Sequence, residues 1–443
     1  MNDILILNGH LVDPANRIDA PCDLLLRDGR VVAVENPGAF AGVSVAQTID
    51  ATDLVVAPGF IDLHVHLREP GQTYKETIAT GTAAAAAGGF TVVVAMPNTV
   101  PVNDTVEKLA WMLDDARGAA VKLLAMPAAT LGSMGSELTD FDALRAAGAV
   151  GFTDDGKPVL EDSIMRAALV AAARAEVPIS QHAEDTRLTG GCSMNAGPTA
   201  FRLGLRGMSV EAEARIVERD IQLLREIERA EGLRPHLHVQ HVSTTRAIEA
   251  IRQARHEGLH VTCEIAPHHF ALTEEAIGDY DTHAKMNPPL RSESDRQQMI
   301  AALIDGTADC IATDHAPHAA FEKRQEFERA PNGITGLETA LGLALRILHR
   351  NHGLPLSRIM NLMSTAPASI AALAGRGALA AGHLADVVIF DPRSEWNFDA
   401  ARSRSKSRNT PFHDAPMLGK VHYTICEGRI VYRSSGRSTF KPA

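Results

Sequence analysis

Residues Leu54-Val55-Val56-Ala57-Pro58-Gly59-Phe60-Ile61-Asp62-Leu63-His64-Val65-His66 join an apolar run to a His-x-His pair. In a β-strand, residues two apart point to the same side, so both imidazoles face one space and can hold one metal ion. For this pair taken alone, two histidines that only pack or hydrogen-bond remain the alternative. Further polar residues that follow later apolar segments favour the metal interpretation.

The chain between residues 55 and 318 alternates apolar segments with helical patterns. Near-continuous apolar runs are typical of parallel strands that are covered on both faces. One helix is predicted over residues 209–231, with Val217, Ile221 and Leu224 on its inner face. Eight strand-and-helix units predict an α/β fold, a (β/α)8 TIM barrel. The predicted strands are residues 55–66, 91–98, 121–130, 149–155, 178–184, 236–243, 261–269 and 310–318.

The residue pattern at both ends of the chain differs from that of the middle. Short β-branched runs near the start alternate with Asn8-Gly9 and Asp28-Gly29, which are hairpin signals. Similar runs return at residues 385–392 and 423–432. Neither end makes a large sheet alone, so we predict that both termini form one small β-sandwich domain. The predicted domains are residues 1–57 and 376–443 for this β-domain and residues 58–375 for a metal-dependent barrel.

Composition narrows the class of protein. The chain has 443 residues and a net charge of −11, which argues against nucleic acid and against an anionic membrane as partners. Its five cysteines lack CxxC spacing, which is typical of a reducing compartment and makes thiolate zinc sites a poor fit. The first residues show no secretory pattern. We therefore expect a cytoplasmic protein without a membrane segment.

Candidate metal ligands follow five of the predicted strands. Active sites of TIM barrels lie at the carboxyl ends of the strands, so these residues should converge. Imidazole with carboxylate suits Zn²⁺, and six ligands are too many for one tetrahedral ion. We therefore predict two Zn²⁺ ions, with a residual positive charge that favours an anionic substrate. The candidates are His64, His66, Asp154 or Asp155, His182, His241 and Asp314.

Long motifs give the chain a family resemblance over its whole length. It resembles the cyclic-amide branch of the amidohydrolase superfamily and, within it, the type I dihydroorotases of the aspartate-bridged subgroup. The motifs are residues 62–71 (DLHVHLREPG), 95–99 (AMPNT), 152–156 (FTDDG), 285–291 (KMNPPLR) and 312–318 (ATDHAPH), with the surroundings of His182 and His241.

The resemblance implies an assignment of the metal ligands. One ion would be held by His64, His66 and Asp314, and the other by His182 and His241. Many relatives bridge the two ions with a carboxylated lysine. No lysine lies in the fourth predicted strand here, and Lys157 follows it in a loop. The resemblance therefore assigns the bridge to Asp155 in place of its neighbour Asp154.

The resemblance also implies a substrate and a reaction. Arg68, Asn98 and His318 would bind the carboxylate of dihydroorotate, while Asn287 and the Asn332-Gly333 pair would meet the amide edges of the ring. His66 would border the substrate as well as the metal. A metal-bound hydroxide would attack the ring carbonyl, and the catalytic Asp314 would carry the proton. The implied function is the reversible cyclisation of N-carbamoyl-L-aspartate to L-dihydroorotate in pyrimidine (UMP) biosynthesis.

Two alternatives stay open at this point. Hydantoinases, dihydropyrimidinases and allantoinases open rings that lack the carboxylate, and Arg68 argues against them. A non-catalytic partner of aspartate transcarbamoylase would usually have lost metal ligands, which this chain keeps. A homodimer and an aspartate transcarbamoylase complex are the protein partners that the family suggests. Residues 318–332 are predicted to form a mobile loop near the site, with gating as a hypothesis.

Overall fold

The computed structural model describes residues 3–435 and 440–441. Its strands follow one another along the whole chain. They are β1 (Ile4–Asp13), β2 (Ile18–Arg27), β3 (Arg30–Glu35), β4 (Gln47–Asp50), β5 (Val55–Pro58), β6 (Phe60–Val65), β7 (Phe90–Ala95), β8 (Lys122–Ala125), β9 (Ile179–Gln181), β10 (Met194–Asn195), β11 (Gly207–Met208), β12 (Leu237–Val239), β13 (Val261–Ile265), β14 (Cys310–Ile311), β15 (Val387–Asn397), β16 (Pro416–Cys426), β17 (Arg429–Arg433) and β18 (Phe440–Lys441).

Helices occupy the middle of the chain between the parallel strands. The α-helices are α1 (Ile78–Gly88), α2 (Val106–Leu113), α3 (Phe141–Ala146), α4 (Asp162–Arg174), α5 (Thr186–Thr189), α6 (Pro198–Leu203), α7 (Glu211–Glu231), α8 (Thr245–His256), α9 (Pro267–Ala271), α10 (Glu293–Asp305), α11 (Ala320–Lys323), α12 (Ala340–Ala344), α13 (Leu356–Met360) and α14 (Ala366–Ile370). Short 3-10 turns cover Asp115–Arg117, Leu131–Ser133, Glu274–Ile277, Thr282–Ala284 and Ala400–Arg402, and π-helical turns cover Leu345–Asn351 and Asn361–Thr365.

Two parallel ladders form the middle of the molecule. The first is β6-β7-β8 and the second is β9-β12-β13-β14. The amide of Val150 donates to the Ala125 carbonyl at 3.2 Å, and the amide of Phe152 donates to the Pro178 carbonyl at 3.1 Å. Phe152 also forms a parallel bridge with Ile179, so one edge of each ladder is joined. A parallel bridge between Val65 and His315 joins the other edges. The predicted α/β class is therefore confirmed.

The observed strands are shorter than the sequence predicts. Residues 149–155 contain no regular strand and contribute only the bridge at Phe152. β13 ends at Ile265, and the rest of its apolar run becomes α9 after Pro267, a residue suited to the first turn of a helix. Polar residues after these strands therefore lie on loops. The predicted helix over residues 209–231 is α7, and its inner face is buried as expected.

Strands from both termini form one sheet. Its order is β17-β16-β15-β5-β1-β2-β3, with β4 paired to β1 and β18 paired to β4. β15 runs antiparallel to β5, so the C-terminal strands continue the N-terminal ones. β1 pairs with β2 and β4 in its first half and with β2 and β5 in its second half. Hydrogen bonds therefore connect the described terminal strands into one sheet, and this sheet encloses a core of its own.

β15 packs its two faces into two different cores. Val388 and Phe390 lie in the large core with the parallel strands. Val387 and Ile389 lie in a separate core that the terminal sheet encloses. Alternate residues of a strand point to opposite faces, so one strand joins both cores.

Gly59 divides the apolar run that opened the sequence. The single predicted strand over residues 55–66 is therefore wrong. β5 pairs with β15, the Gly59 amide donates to Asp386 at 2.9 Å, and β6 then begins the parallel ladder. A Cβ at Gly59 would approach the Thr91 side chain to 2.3 Å, so only glycine allows this change of partner.

The hairpin predicted at Asn8-Gly9 is also wrong. β1 continues through it, and the pairing register with β2 shifts between Ile6 and Gly9. Asn8 has a positive φ of 59°, as in a β-bulge. Asp28-Gly29 does form the turn between β2 and β3. In the described part of the chain, no helix combines the length and apolar composition needed to cross a bilayer.

Candidate metal centre

Six buried side chains meet at the carboxyl ends of the parallel strands. Asp155 lies between the others: its Oδ1 is 3.4 Å from His64 Nε2, 3.6 Å from His182 Nδ1 and 3.7 Å from His241 Nε2. Its Oδ2 is 3.6 Å from His66 Nε2. A carboxylate that faces four imidazoles has the position that a bridge between two metal ions requires.

The first group consists of His64, His66 and Asp314. His66 Nε2 lies 2.9 Å from Asp314 Oδ1, and His64 Nε2 lies 3.5 Å from the same oxygen. The backbone of this group is held by Asp62, whose carboxylate accepts the amides of His64 at 3.1 Å and Thr313 at 3.0 Å.

The second group consists of His64, Asp155 and His241, and His182 adjoins it. His182 Nε2 hydrogen-bonds to Glu184 at 2.9 Å, so its Nδ1 faces the cluster. That Nδ1 lies 2.9 Å from His241 Nε2. Two imidazole nitrogens at this distance need a proton or a metal ion between them.

Backbone strain occurs at two of the ligands. His241 has a φ of 33° and Asp314 a φ of 46°. Residues other than glycine seldom adopt positive φ, and such strain collects at functional sites. Strand-end turns of this shape direct both side chains into the cluster.

The donor set passes a test for a metal site. His64 Nε2 is buried and has no hydrogen-bond partner, although it lies beside two carboxylates. Unpaired buried nitrogens are costly, and a metal ion would satisfy this one. Imidazoles and carboxylates are the ligands that zinc prefers outside thiolate sites.

The electrostatics indicate that the cluster attracts cations. Burial lowers the pKa of His64, but Asp155, Asp314 and Glu264 together raise it well above its usual value. Despite burial, Asp155 and Glu184 raise the pKa of His182 to about 10. The pKa of Asp314 is lowered by His64 and His66 against the effect of burial. Bound protons here occupy positions that metal ions would take.

The structure places Asp154 and Lys157, the alternatives to Asp155 as a bridging residue, outside the cluster. Asp154 is turned toward Thr130, whose amide and hydroxyl both donate to its carboxylate. Lys157 is exposed, and its Nζ lies 3.9 Å from the sulfur of Met134. Neither residue can bridge the two groups in this conformation.

Two carboxylates behind the ligands were missed by the sequence reasoning. Glu264 binds His64 Nδ1 at 2.6 Å, and Glu184 binds His182 as described. Burial raises the pKa of each glutamate, but the adjacent histidines lower both to about 2. Such partners fix the ring orientation of metal-binding histidines and raise their basicity. A lone glutamate inside the apolar strand β13 was the available signal.

A cavity of about 250 Å³ opens onto the cluster. Five of the predicted substrate residues lie on its wall together with His66. These are Arg68, Asn98, Asn287, His318 and Asn332. Gly333 is the exception, because its amide donates to Lys285 and its carbonyl accepts from Asn409. The prediction that Gly333 offers its backbone to a ligand is therefore not supported by this conformation.

One end of the cavity carries positive charge. Arg68 is 9% exposed, and one of its terminal nitrogens lies 3.5 Å from His318 Nε2. Burial, Arg68, Lys75 and Lys323 lower the pKa of His318 to about 2, so that ring is neutral. A buried guanidinium beside polar groups is a natural partner for a carboxylate.

Asn98 and Asn287 already contact the cluster. Asn98 Oδ1 lies 2.9 Å from His66 Nδ1, which leaves His66 Nε2 for Asp314 and a metal. The amide nitrogen of Asn287 donates to Glu184 at 2.8 Å, and its oxygen is buried without a hydrogen-bond partner. That free oxygen is available to an N–H donor in the cavity.

Residues 318–332 are held at several points. Lys323 Nζ donates to the carbonyls of Pro331 at 2.8 Å and Gly333 at 3.2 Å. Lys285 Nζ donates to those of Glu328 and Ala330 at 3.0 and 2.7 Å. The segment contains the short helix α11 and is held by two buried lysines, and its predicted mobility stays a prediction. A segment that is held by polar contacts of this kind shows no apolar periodicity in its sequence.

Comparison with known proteins identifies the family. A family model described as dihydro-orotase-like matches residues 53–247. A dihydroorotase from Desulforapulum autotrophicum is 46% identical over 96% of this chain and 97% of its own length. A dihydroorotase from Syntrophotalea carbinolica is 47% identical over 98% of this chain and 99% of its own length. The chain belongs to the dihydroorotase family.

Solved structures of related enzymes share the fold. An L-hydantoinase (dihydropyrimidinase) from Arthrobacter aurescens has a TM-score of 0.86 at 25% identity and covers 98% of this chain, with 97% of its own chain matched. A dihydropyrimidinase from Brevibacillus agri has a TM-score of 0.83 at 22% identity, with coverage of 98% and 96%. This member of the dihydroorotase family therefore has the amidohydrolase fold and is a hydrolase of cyclic amides.

Proposed function

We propose that this protein catalyses the reversible cyclisation of N-carbamoyl-L-aspartate to L-dihydroorotate in pyrimidine biosynthesis. The observation that carries the proposal is the cavity itself, whose wall combines buried Arg68 and His318 with Asp155 and the candidate metal ligands. Dihydroorotate has a matching pair of groups, a carboxylate and a scissile amide. Family membership supports the same substrate.

We propose a closed (β/α)8 barrel over residues 58–375 as the scaffold. The two parallel ladders are joined by hydrogen bonds at both of their edges, which supports closure. The terminal β-domain, residues 1–57 and 376–443, packs on this scaffold through β5 and β15. The cavity lies at the carboxyl ends of the strands, where barrel enzymes carry their active sites.

The proposed cofactor is a pair of Zn²⁺ ions in the aspartate-bridged arrangement. His64, His66 and Asp314 would hold one ion, His182 and His241 the other, and Asp155 would contact both. When bound, such ions supply an activated water and polarise the carbonyl that it attacks.

Asp314 is the proposed proton carrier. Its carboxylate is ionised because neighbouring histidines lower its pKa, and His66 Nε2 orients it at 2.9 Å. In hydrolysis it accepts a proton from the attacking water and returns it to the ring nitrogen as the C–N bond breaks. In cyclisation it accepts the proton of the ureido nitrogen and returns it to the departing oxygen.

The remaining cavity residues position the substrate. Arg68, with Asn98 and His318, would bind the carboxylate and fix the ring relative to Asp155. The free oxygen of Asn287 would accept an N–H of the ring, and Asn332 would border the opposite amide edge. These contacts would bring the scissile carbonyl to the metal ligands.

A substrate comparison tests the proposal. Purified protein with zinc is assayed with dihydroorotate and with dihydrouracil, each with and without a chelator. We expect dihydroorotate to be opened faster, with loss of activity on chelation and recovery with zinc. Faster opening of dihydrouracil would favour a dihydropyrimidinase, and an inert, well-folded protein would favour a non-catalytic partner of aspartate transcarbamoylase. The proposed homodimer and transcarbamoylase complex are tested by light scattering, alone and with that enzyme.

A further inference from the structure

A row of hydrogen-bonded side chains leads from His64 away from the substrate cavity. We call it the core chain, and it consists of His64, Glu264, His238, Thr262 and His236. Its four contacts are His64 Nδ1 to Glu264 Oε1 at 2.6 Å, Glu264 Oε2 to His238 Nε2 at 3.1 Å, His238 Nδ1 to Thr262 Oγ1 at 2.9 Å, and Thr262 Oγ1 to His236 Nε2 at 2.8 Å.

The core chain ends near the amino ends of β12 and β13. Thr262 and Glu264 lie on one face of β13, with Thr262 nearer its amino end, and His236 directly precedes β12. There His236 stacks on His260 with ring centroids 3.9 Å apart, and both line a second cavity of about 360 Å³. The chain therefore connects His64 with the amino ends of β12 and β13 through buried Glu264 and His238 and half-buried Thr262 and His236.

With His238 and His236 as neutral rings, hydrogen-bond chemistry permits one arrangement of protons along the core chain. His64 presents Nε2 to the cluster, so its Nδ1–H donates to Glu264. The second oxygen of Glu264 accepts from His238 Nε2–H, which leaves His238 Nδ1 as an acceptor. The Thr262 hydroxyl then donates to His238 and accepts from His236. Every donor thus points toward the glutamate.

We propose that His238 and Thr262 are positioning residues that hold His64 as a metal ligand through Glu264. Neither residue belongs to the two ligand groups of the cluster or to the wall of the substrate cavity, although His238 lies with Glu264 and Cys310 in a third group that could hold a metal ion. His238 is fully buried, so its ring has no solvent to replace a lost partner. The inference deepens the proposed function, because it rests on metal binding by His64.

Removal of the Thr262 hydroxyl gives a defined effect. His238 Nδ1 would lose its donor and stay buried without a partner, so the ring would move toward another donor. That movement would lengthen the bond from His238 Nε2–H to Glu264 Oε2. Glu264 would shift, and His64 would lose the partner that orients it. Loss of a partner behind a ligand typically weakens metal affinity about 10–100-fold.

The test compares Thr262→Val with Thr262→Ser. Zn²⁺ affinity of the metal-free proteins is measured by competition with a chromophoric chelator, and thermal unfolding reports folding. We expect zinc to bind roughly tenfold more weakly to Thr262→Val, while Thr262→Ser, which keeps the hydroxyl, binds as the wild type does. Nitrogen-15 NMR of labelled histidines in the metal-free protein adds a second readout. The ring signals that report Nε2–H at His238 should change in Thr262→Val alone.

Each outcome decides the inference. A folded Thr262→Val protein with unchanged zinc affinity and unchanged ring signals would overturn it and leave the proposed function standing. A wild-type protein that binds no zinc would overturn the proposed function and this inference with it. Should Thr262→Val fail to fold, His238→Gln and His238→Leu replace it. Glutamine can donate to Glu264 and should retain affinity, whereas leucine cannot and should lose it.

Discussion

Asp155 is the residue on which the two ligand groups depend. It lies within 3.7 Å of all four imidazoles, as the proposed bridge between two cations requires. The strained backbone at His241 and Asp314 turns their side chains toward it. The short reach of an aspartate requires the four rings to lie close together, as they do here.

Replacement of Asp155 by asparagine should remove bound metal and activity together. The amide keeps the shape but removes the charge that a dication pair requires. We expect fewer than two zinc ions per chain by elemental analysis, and a loss of kcat beyond the roughly 100-fold seen when an outer partner is removed. Asp154→Asn is the matched control and should retain its metal, because that carboxylate binds Thr130. Full metal content in Asp155→Asn would refute the bridge.

Replacement of Arg68 by methionine should change substrate preference. Removal of one member of a buried charge pair costs about 2–5 kcal/mol, which corresponds to a fall in kcat/KM for dihydroorotate of roughly 30- to 5,000-fold. The neutral ring of dihydrouracil has no carboxylate to lose, so its rate should change far less. Exposed Arg324→Met serves as the control. Equal losses for both substrates would contradict a carboxylate site at Arg68.

The sequence could predict candidate metal ligands but not the residues that hydrogen-bond to those ligands. His64, His66, Asp155 and Asp314 lie in sequence motifs at or after the carboxyl ends of strand segments, where their types can be recognised. Glu264 has no such spacing: its partners come from β6 and β12, and only folding brings them within hydrogen-bond distance. The orientation of Asp154 toward Thr130 likewise depends on a contact between distant loops.

Lys323 and Lys285 determine the shape of the segment that borders the cavity. Each donates to two carbonyls of residues 328–333, so the turn at Asn332 is fixed by buried cations. Burial and the nearby Lys285 lower the pKa of Lys323 to about 7. The ammonium is therefore destabilised in the folded state relative to the unfolded chain.

Stability should consequently depend on Lys323 above neutral pH. A depressed folded-state pKa contributes stability above the unfolded value near 10.5, and this contribution is lost as the pH falls toward 7. Between about pH 7 and pH 10, wild type should gain up to roughly 1.4 kcal/mol per pH unit relative to Lys323→Met. Urea denaturation across this range measures the difference, and exposed Lys420→Met should show the wild-type slope. Parallel curves for wild type and Lys323→Met would contradict the prediction.

Strand limits were the least predictable property of the elements. Apolar runs predicted the order of the ladder strands β6, β7, β8, β9, β12, β13 and β14 but not the short β10 and β11, since buried parallel strands have few polar residues. Apolar runs could not predict where each strand ends, because loops that are buried beside a cavity are also apolar. Gly59 shows the same limit: only the contact with Thr91 reveals why two strands replace one.

The terminal sheet and the parallel strands share one core. Phe390 of β15 packs against Phe60 of β6 with ring centroids 6.4 Å apart, and Phe60 packs edge-on against Phe90 at 5.7 Å. All three rings are fully buried. The terminal β-domain is therefore part of the structure that supports the site. The pattern of short apolar runs predicted where this domain lies in the chain, but not that it shares a core with the parallel strands.

Phe390→Ala should destabilise the whole protein. Truncation of a buried phenylalanine typically lowers the free energy of unfolding by about 3–5 kcal/mol. Chemical denaturation followed by the fluorescence of Trp111 and Trp396 should show both signals shifted together. Phe201, which is 90% exposed, supplies the control, since Phe201→Ala should cost less than about 0.5 kcal/mol. A shift confined to the Trp396 signal would mean that the two parts unfold independently.

The pairing of β5 with β15 also has a consequence for biosynthesis. β5 emerges from the ribosome early, yet its neighbour at Val387 is translated only when most of the chain is complete. Until then β5 presents an open hydrogen-bonding edge, a form prone to association with other nascent chains. The terminal sheet therefore closes only after elongation is nearly finished, and a transcript truncated before residue 387 should yield an aggregating product.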